Sequence, residues 1–171
     1  MSHSHHTINR FHWGAGKNYS LSLLLVEDKA SDQQLISYYL KEVKTLSFNI
    51  HTATHLQAGL AILVQEKIDI VLLDLNLPDS NELATFDRIH ETAPEIPIII
   101  MTGADNEEYL ALKAIERGAQ DYLEKTSLSS TILNKAIQYA LKRKEMVRGL
   151  ERAQRLGKLG FWEVNPITMQ W

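Results

Sequence analysis

Ile70-Val71-Leu72-Leu73-Asp74-Leu75-Asn76-Leu77-Pro78-Asp79 is the stretch on which the fold turns. Four apolar residues run without a polar break into one carboxylate, and Pro78 follows closely. A short run that is apolar on both sides reads as a strand buried on both faces, the environment of a parallel sheet covered by helices. The same ending occurs upstream, where Leu21 to Val26 runs into Glu27-Asp28. Phe48 to Ala53, Ile68 to Leu73, Ile96 to Met101 and Asp121 to Leu123 complete a set of five predicted strands. Between them, Ser31 to Val43, Leu56 to Gln65, Glu82 to Thr92 and Glu107 to Arg117 carry apolar residues at three and four spacing, as in Leu35, Ile36, Tyr39, Leu40 and Val43. Asp105, with Glu108 three residues on, is a predicted N-cap, and Gly118 a predicted C-terminal glycine. The alternation predicts an α/β fold: a doubly wound five-stranded parallel sheet with an extended C-terminal helix.

Composition narrows the function classes. The 171 residues hold no cysteine, so a disulfide framework, a thiolate metal site and a cysteine nucleophile are excluded, and a reducing, cytoplasmic setting is expected. No apolar run approaches the roughly 18 residues a membrane-spanning helix needs. The net charge of −3 hides an asymmetry: residues 21–127 carry 8 basic and 18 acidic side chains, residues 128–160 carry 8 basic and 2 acidic. An acidic body is a poor match for nucleic acid, whose binding rests largely on Lys and Arg neutralising phosphates.

The acids fall where open α/β sheets bind ligands, at the C-terminal ends of the strands. Glu27, Asp28 and Asp74 would meet there and repel one another unless a cation lies between them, and an all-oxygen set suits Mg²⁺ or Mn²⁺. The fourth and fifth strands deliver Thr102-Gly103 and Lys125 to the same edge, a hydroxyl, an unhindered backbone and an ammonium that can grip a phosphoryl group. Each residue alone reads as an ordinary loop or cap position; their conjunction on one edge carries the argument. By contrast Gly14-Ala15-Gly16-Lys17-Asn18 falls short of a phosphate-binding loop, with Phe11 in place of the first glycine and no strand before it.

Leu25-Val26-Glu27-Asp28, Leu72 to Asp79, Ile98-Ile99-Ile100-Met101-Thr102-Gly103 and Gly118 to Lys125 resemble four blocks of the response-regulator receiver domain of two-component signalling, a flavodoxin-like fold. The resemblance covers about residues 21–140. It implies that Asp74 accepts a phosphoryl group from a phosphohistidine or a small phosphodonor, a carboxylate acting as nucleophile. It implies Mg²⁺ ligation by Asp28 and Asp74, by Glu27 mainly through water, and by the main-chain carbonyl of Asn76. Lys125 would pair with the phosphoryl oxygens, and Thr102 and Tyr122 would form the switch, the tyrosine turning inward as the hydroxyl moves toward phosphate. A histidine kinase or phosphotransfer protein would be the donor. Two positions depart from the pattern: Glu82 stands where the family usually has Gly, so either the loop differs or Asn81 takes the strained conformation, and Thr126 stands where Pro is common.

Outside this body lie three segments. Residues 1–20, with His3, His5, His6 and His12, read as a flexible leader or tag remnant. Ser127 or Ser129 is expected to cap a helix that closes the receiver by residue 141 and extends as a basic linker over 142–158, to about residue 156 in helical form. Leu133, Ala140 and Val147 recur at sevens, a stripe that would support a homodimer. From Arg155 through Trp162 to Trp171 the sequence resembles the opening of a PAS sensor domain, with residues 159–171 its truncated start. The leading expectation is therefore a phosphoacceptor module within a larger sensor or regulatory protein, whose parent could be a sensor kinase, and with no direct nucleic-acid contact or membrane span in this stretch. The alternatives are a degenerate receiver used as an interaction scaffold and an Mg²⁺-dependent aspartyl-phosphate phosphatase. The phosphatase chemistry wants an acid two residues after the nucleophile, where Asn76 stands. A flavin or nucleotide binder of the same topology is opposed by the lack of a glycine-rich loop after the first strand.

Overall fold

The computed structural model describes residues 20–103 and 108–162. Five parallel strands, β1 (Ser20–Val26), β2 (Ser47–Ala53), β3 (Ile70–Asp74), β4 (Ile98–Thr102) and β5 (Asp121–Glu124), form one sheet in the order β2-β1-β3-β4-β5. They alternate with α1 (Ala30–Glu42), α2 (Leu56–Gln65), α3 (Glu82–Thr92), α4 (Glu108–Glu116) and α5 (Ser130–Trp162). The expected boundaries of the first nine elements agree within two residues. The later start of β4 follows Pro97, which has no N–H to give the ladder but lends its carbonyl to Val71 N at 3.0 Å.

Period-two alternation sorts the strand side chains into two cores. Leu23 and Leu25 of β1, Ile70 and Leu72 of β3, and Ile99 and Met101 of β4 face Ile36 and Leu40 of α1 and Leu133, Ala136 and Ile137 of α5. Leu24, Val26, Val71, Leu73, Ile98 and Ile100 face Leu56 of α2, Phe86 and Ile89 of α3, and Ala111 and Ala114 of α4. The sheet is thus buried on both sides, which is why its strands lack polar alternation.

The register sets the site. Val26 pairs with Leu73, and Asp74 with Met101, so the residues one step beyond, Glu27 and Asp74, emerge side by side at the C-terminal edge. Thr102 pairs with Glu124, which brings Lys125 to the same edge.

Two local expectations are corrected and one choice is settled. Glu82 itself adopts the left-handed backbone, φ 52°, while Asn81 is extended at φ −143°. The strain falls on the residue that replaces glycine, a conformation L side chains adopt at a cost of order 1 kcal/mol. Ser129 rather than Ser127 caps α5, its Oγ accepting from Ile132 N at 3.3 Å. Leu159 to Trp162 continue α5, where the sequence suggested the opening of a strand. A helix satisfies its own backbone, whereas a strand there would need a partner for each N–H and C=O. Gly118 closes α4 as expected, with φ 115° and Ala119 N donating to Ala114 O at 2.9 Å.

α5 has two unlike halves. Leu133, Ala136, Ile137, Ala140 and Leu141 are buried against the sheet, so the first two members of the seven-residue stripe belong to the domain's own core. Beyond them Met146, Val147 and Leu150 are exposed. At about 1.5 Å per residue the 33-residue helix is about 50 Å long. Lys144 and Arg148 reach back to Glu95, before β4, at 3.5 and 3.3 Å. No helix among the described residues is long and apolar enough to cross a membrane. The leader up to Tyr19, the Asp105 cap and residues 163–171 of the PAS-like stretch lie outside the described residues.

Candidate functional site

At the C-terminal edge of the sheet a cavity of about 440 Å³ is lined by Asp28, Lys29, Asp32, Asp74, Asn76, Gly103, Lys125 and Thr126. Glu27, fully buried, lies beneath it. One oxygen from each of Glu27, Asp28 and Asp74 comes within 4.8 Å of the others. Lys125, its side chain only 12% exposed, bonds to Asp74, meets Glu27 Oε2 at 2.5 Å and lies 3.3 Å from Asp32 Oδ2. Asp74, 4% exposed, also accepts from Asn76 N at 2.8 Å through Oδ1.

Burial raises the Glu27 carboxyl to about 7, with the charge of Asp74 adding to it against the pull of Lys125. Burial alone would depress Lys125, but hydrogen bonds and charge from Asp74 and Glu27 outweigh it and hold the ammonium above its ordinary range. Glu27 Oε2 is buried with the Lys125 ammonium 2.5 Å away. A hard cation is what such a set can accept: carboxylate oxygens on one side, an open cavity on the other, and no soft ligand among them. The donor set fits Mg²⁺.

The surrounding loops are tied down. Asp79 closes the loop after β3 by accepting from Leu56 N at 2.7 Å and Gln57 N at 2.9 Å, so it caps α2 from across the site. Burial opposes its ionisation, yet those two N–H groups hold its carboxyl below the usual range. Thr85 Oγ1, buried in α3, donates to Leu75 O at 2.8 Å. Gln33 of α1 donates to Glu27 O.

Thr102 is buried, its hydroxyl donating to Leu123 O at 3.4 Å rather than engaging Asp74. The Tyr122 hydroxyl donates to Glu108 at 3.2 Å, at the start of α4, and this neighbouring carboxylate holds the phenol above its ordinary range. The tyrosine ring is half-buried against the core that α2, α3 and α4 share with the sheet, and its hydroxyl reaches Glu108.

Every site residue named from the sequence lies at this edge, with Tyr122 on its flank. Sequence reading missed Asp32, Asp79 and Thr85. Asp32 had one signal, its place in the first turn of α1, where a carboxylate can lean back over the strand end; the roles of Asp79 and Thr85 depend on contacts with partners distant in sequence.

A parallel 2-1-3-4-5 sheet with acids after its first and third strands and a lysine after its fifth defines a class of phosphorelay receiver modules. Its family profile, described as response regulator receiver domain, matches residues 23–138, and the chain belongs to that family. Over 113 residues it is 31% identical to the photosynthetic apparatus regulatory protein RegA of Rhodobacter capsulatus, covering 66% of this chain and 59% of RegA. It is 34% identical over 108 residues to the transcriptional regulatory protein SrrA of Staphylococcus aureus, covering 62% of this chain and 42% of SrrA. The match thus spans about half the length of these curated relatives. A solved response regulator receiver domain protein of Clostridium thermocellum superposes with a TM-score of 0.65 at 26% identity, over 74% of this chain and 98% of that one. Receiver domains of this family interact with histidine kinases or phosphotransfer proteins and generally bind Mg²⁺.

Proposed function

We propose that this receiver is a working phosphoacceptor, with Asp74 as the acceptor. The observation that carries the reading is a nearly buried Asp74 carboxylate held between the Lys125 ammonium and the Asn76 amide at the mouth of an acid-lined cavity. An Asp74 oxygen attacks phosphorus, the new O–P bond forming as the donor's N–P bond breaks and the histidine leaves. Lys125 follows the charge from Asp74 to the phosphoryl oxygens, where a fixed cation is worth most in a partly desolvated site. Glu27, Asp28, Asp74 and the Asn76 carbonyl would hold Mg²⁺, which when bound supplies further charge neutralisation for the phosphoryl group.

The switch starts from the resting arrangement: Thr102 is engaged with Leu123, and Tyr122 with Glu108. Movement of the Thr102 hydroxyl toward phosphate frees room for the Tyr122 ring and releases its bond to α4. The state passes through α5 to a following domain of a larger sensor or regulatory protein. Exposed Met146, Val147 and Leu150 support a homodimer through the distal half of α5, with residues 142–158 as the pairing segment.

Intact mass after acetyl phosphate treatment, with and without Mg²⁺, tests the chemistry. An adduct that needs the metal and is lost in Asp74→Asn is expected; equal labelling of the variant moves the nucleophile elsewhere. A chain ending at residue 141 should keep the adduct and become monomeric, and an unchanged molar mass removes the helix-mediated dimer.

A further inference from the structure

Asp32 is the site acid that the phosphoacceptor chemistry does not use. It stands in the first turn of α1, where the helix dipole favours an anion, and lines the cavity beside Asp28 and Asp74. Its Oδ2 lies 3.3 Å from Lys125 Nζ, and Ser31 Oγ donates to its Oδ1 at 3.3 Å. With its side chain 28% exposed, against 12% for Lys125 and 6% for Asp74, Asp32 is the outermost partner of that ammonium. Lys29 is the other cation lining the cavity.

We propose that Asp32 is a specificity-determining residue that disfavours free, highly charged phosphodonors and reserves Asp74 for a phosphohistidine delivered on a docked protein. This rests on Asp74 being the acceptor. An incoming phosphoryl group must pass the Asp32 carboxylate and draw Lys125 away from it. A small donor has only its own charge interactions with which to overcome that repulsion, whereas a protein donor brings the binding energy of a whole interface. One carboxylate at the mouth of a cleft slows entry of a dianion by about three- to tenfold and a monoanion by less. The same carboxylate favours a divalent cation in the cavity, so its two effects have opposite signs.

The test measures phosphoryl uptake by the full chain at saturating Mg²⁺, from acetyl phosphate and from phosphoramidate. In the first reaction the Asp74 oxygen displaces acetate as its P–O bond breaks. In the second the P–N bond breaks and ammonia leaves, its three hydrogens already on the nitrogen of the monoanion. Acetyl phosphate is a dianion near neutral pH, and phosphoramidate is mainly a monoanion. Asp32→Asn should raise the second-order rate with acetyl phosphate by about three- to tenfold, raise that with phosphoramidate less, and weaken Mg²⁺ binding in calorimetry by several-fold. The acetyl phosphate gain should shrink as salt is raised, and Asp32→Glu should restore wild-type values. A rate that is unchanged, falls together with Mg²⁺ affinity, or rises equally for both donors overturns the proposal. Asp74→Asn, run in parallel, tests the underlying reading separately: uptake by that variant at the wild-type rate would sink the acceptor assignment, whatever Asp32 does.

Discussion

Two ionic clusters, at opposite ends of the sheet, use the same side-chain chemistry to different effect. At the C-terminal edge Lys125 is wedged among Asp74, Glu27 and Asp32 with 12% of its side chain exposed. At the N-terminal edge Glu95, 66% exposed, receives Lys144 and Arg148 from the distal part of α5. Burial makes the difference. Charges withdrawn from water depend on one another, so the first cluster is a chemical site, while the second, screened by solvent, is a light tether.

The comparison breaks first on Lys125→Met. Without divalent cation the variant leaves buried carboxylates without their counter-charge, and a loss of about 3–5 kcal/mol is expected from urea unfolding. A loss as small as that of a surface pair would put the two clusters in one class. Asp79→Ala lies between the extremes. Its carboxylate is a helix cap, so about 1 kcal/mol should be lost and the Leu56 and Gln57 amides should exchange faster with solvent deuterium. Glu95→Gln should lower global stability by about 1 kcal/mol or less, while exchange over residues 142–150 rises selectively.

The smallest effect is a pH dependence. Lys144 is the main influence that lowers the Glu95 carboxyl below its ordinary 4.5, with Arg148 adding to it against partial burial. An acid depressed in the folded state contributes stability that is present above the unfolded value and is lost as pH falls through the folded one. Protection of residues 142–150 should therefore hold above about pH 4.5 and decline below it. In Glu95→Gln that particular step should be missing.

These contrasts also mark what could be read from the chain. The strands and helices were legible because burial on both faces leaves unbroken apolar runs such as Leu23 to Val26, and because helix faces repeat at three and four. The receiver site was legible because the apolar runs end in acids, Thr102 and Lys125. Less legible were residues whose sequence signal is shared by two structural outcomes. Val147 reads as a continuation of Leu133 and Ala140, yet those two are buried against the sheet and Val147 is exposed. The sequence left open a differently shaped loop or a strained Asn81, and the left-handed backbone falls on Glu82.

By itself the sequence determined the α/β alternation, the receiver family and the acids that share one edge, since these follow from periodicity and from what stands at the end of each apolar run. The tertiary structure alone decided that Asp32 joins Lys125 across 93 residues of chain, that Asp79 caps α2, and that α5 divides into a core half and a solvent half. The physical reason is that a pattern along the chain records which face a side chain occupies, whereas partners distant in sequence become neighbours only when the sheet register and the helix packing bring them together.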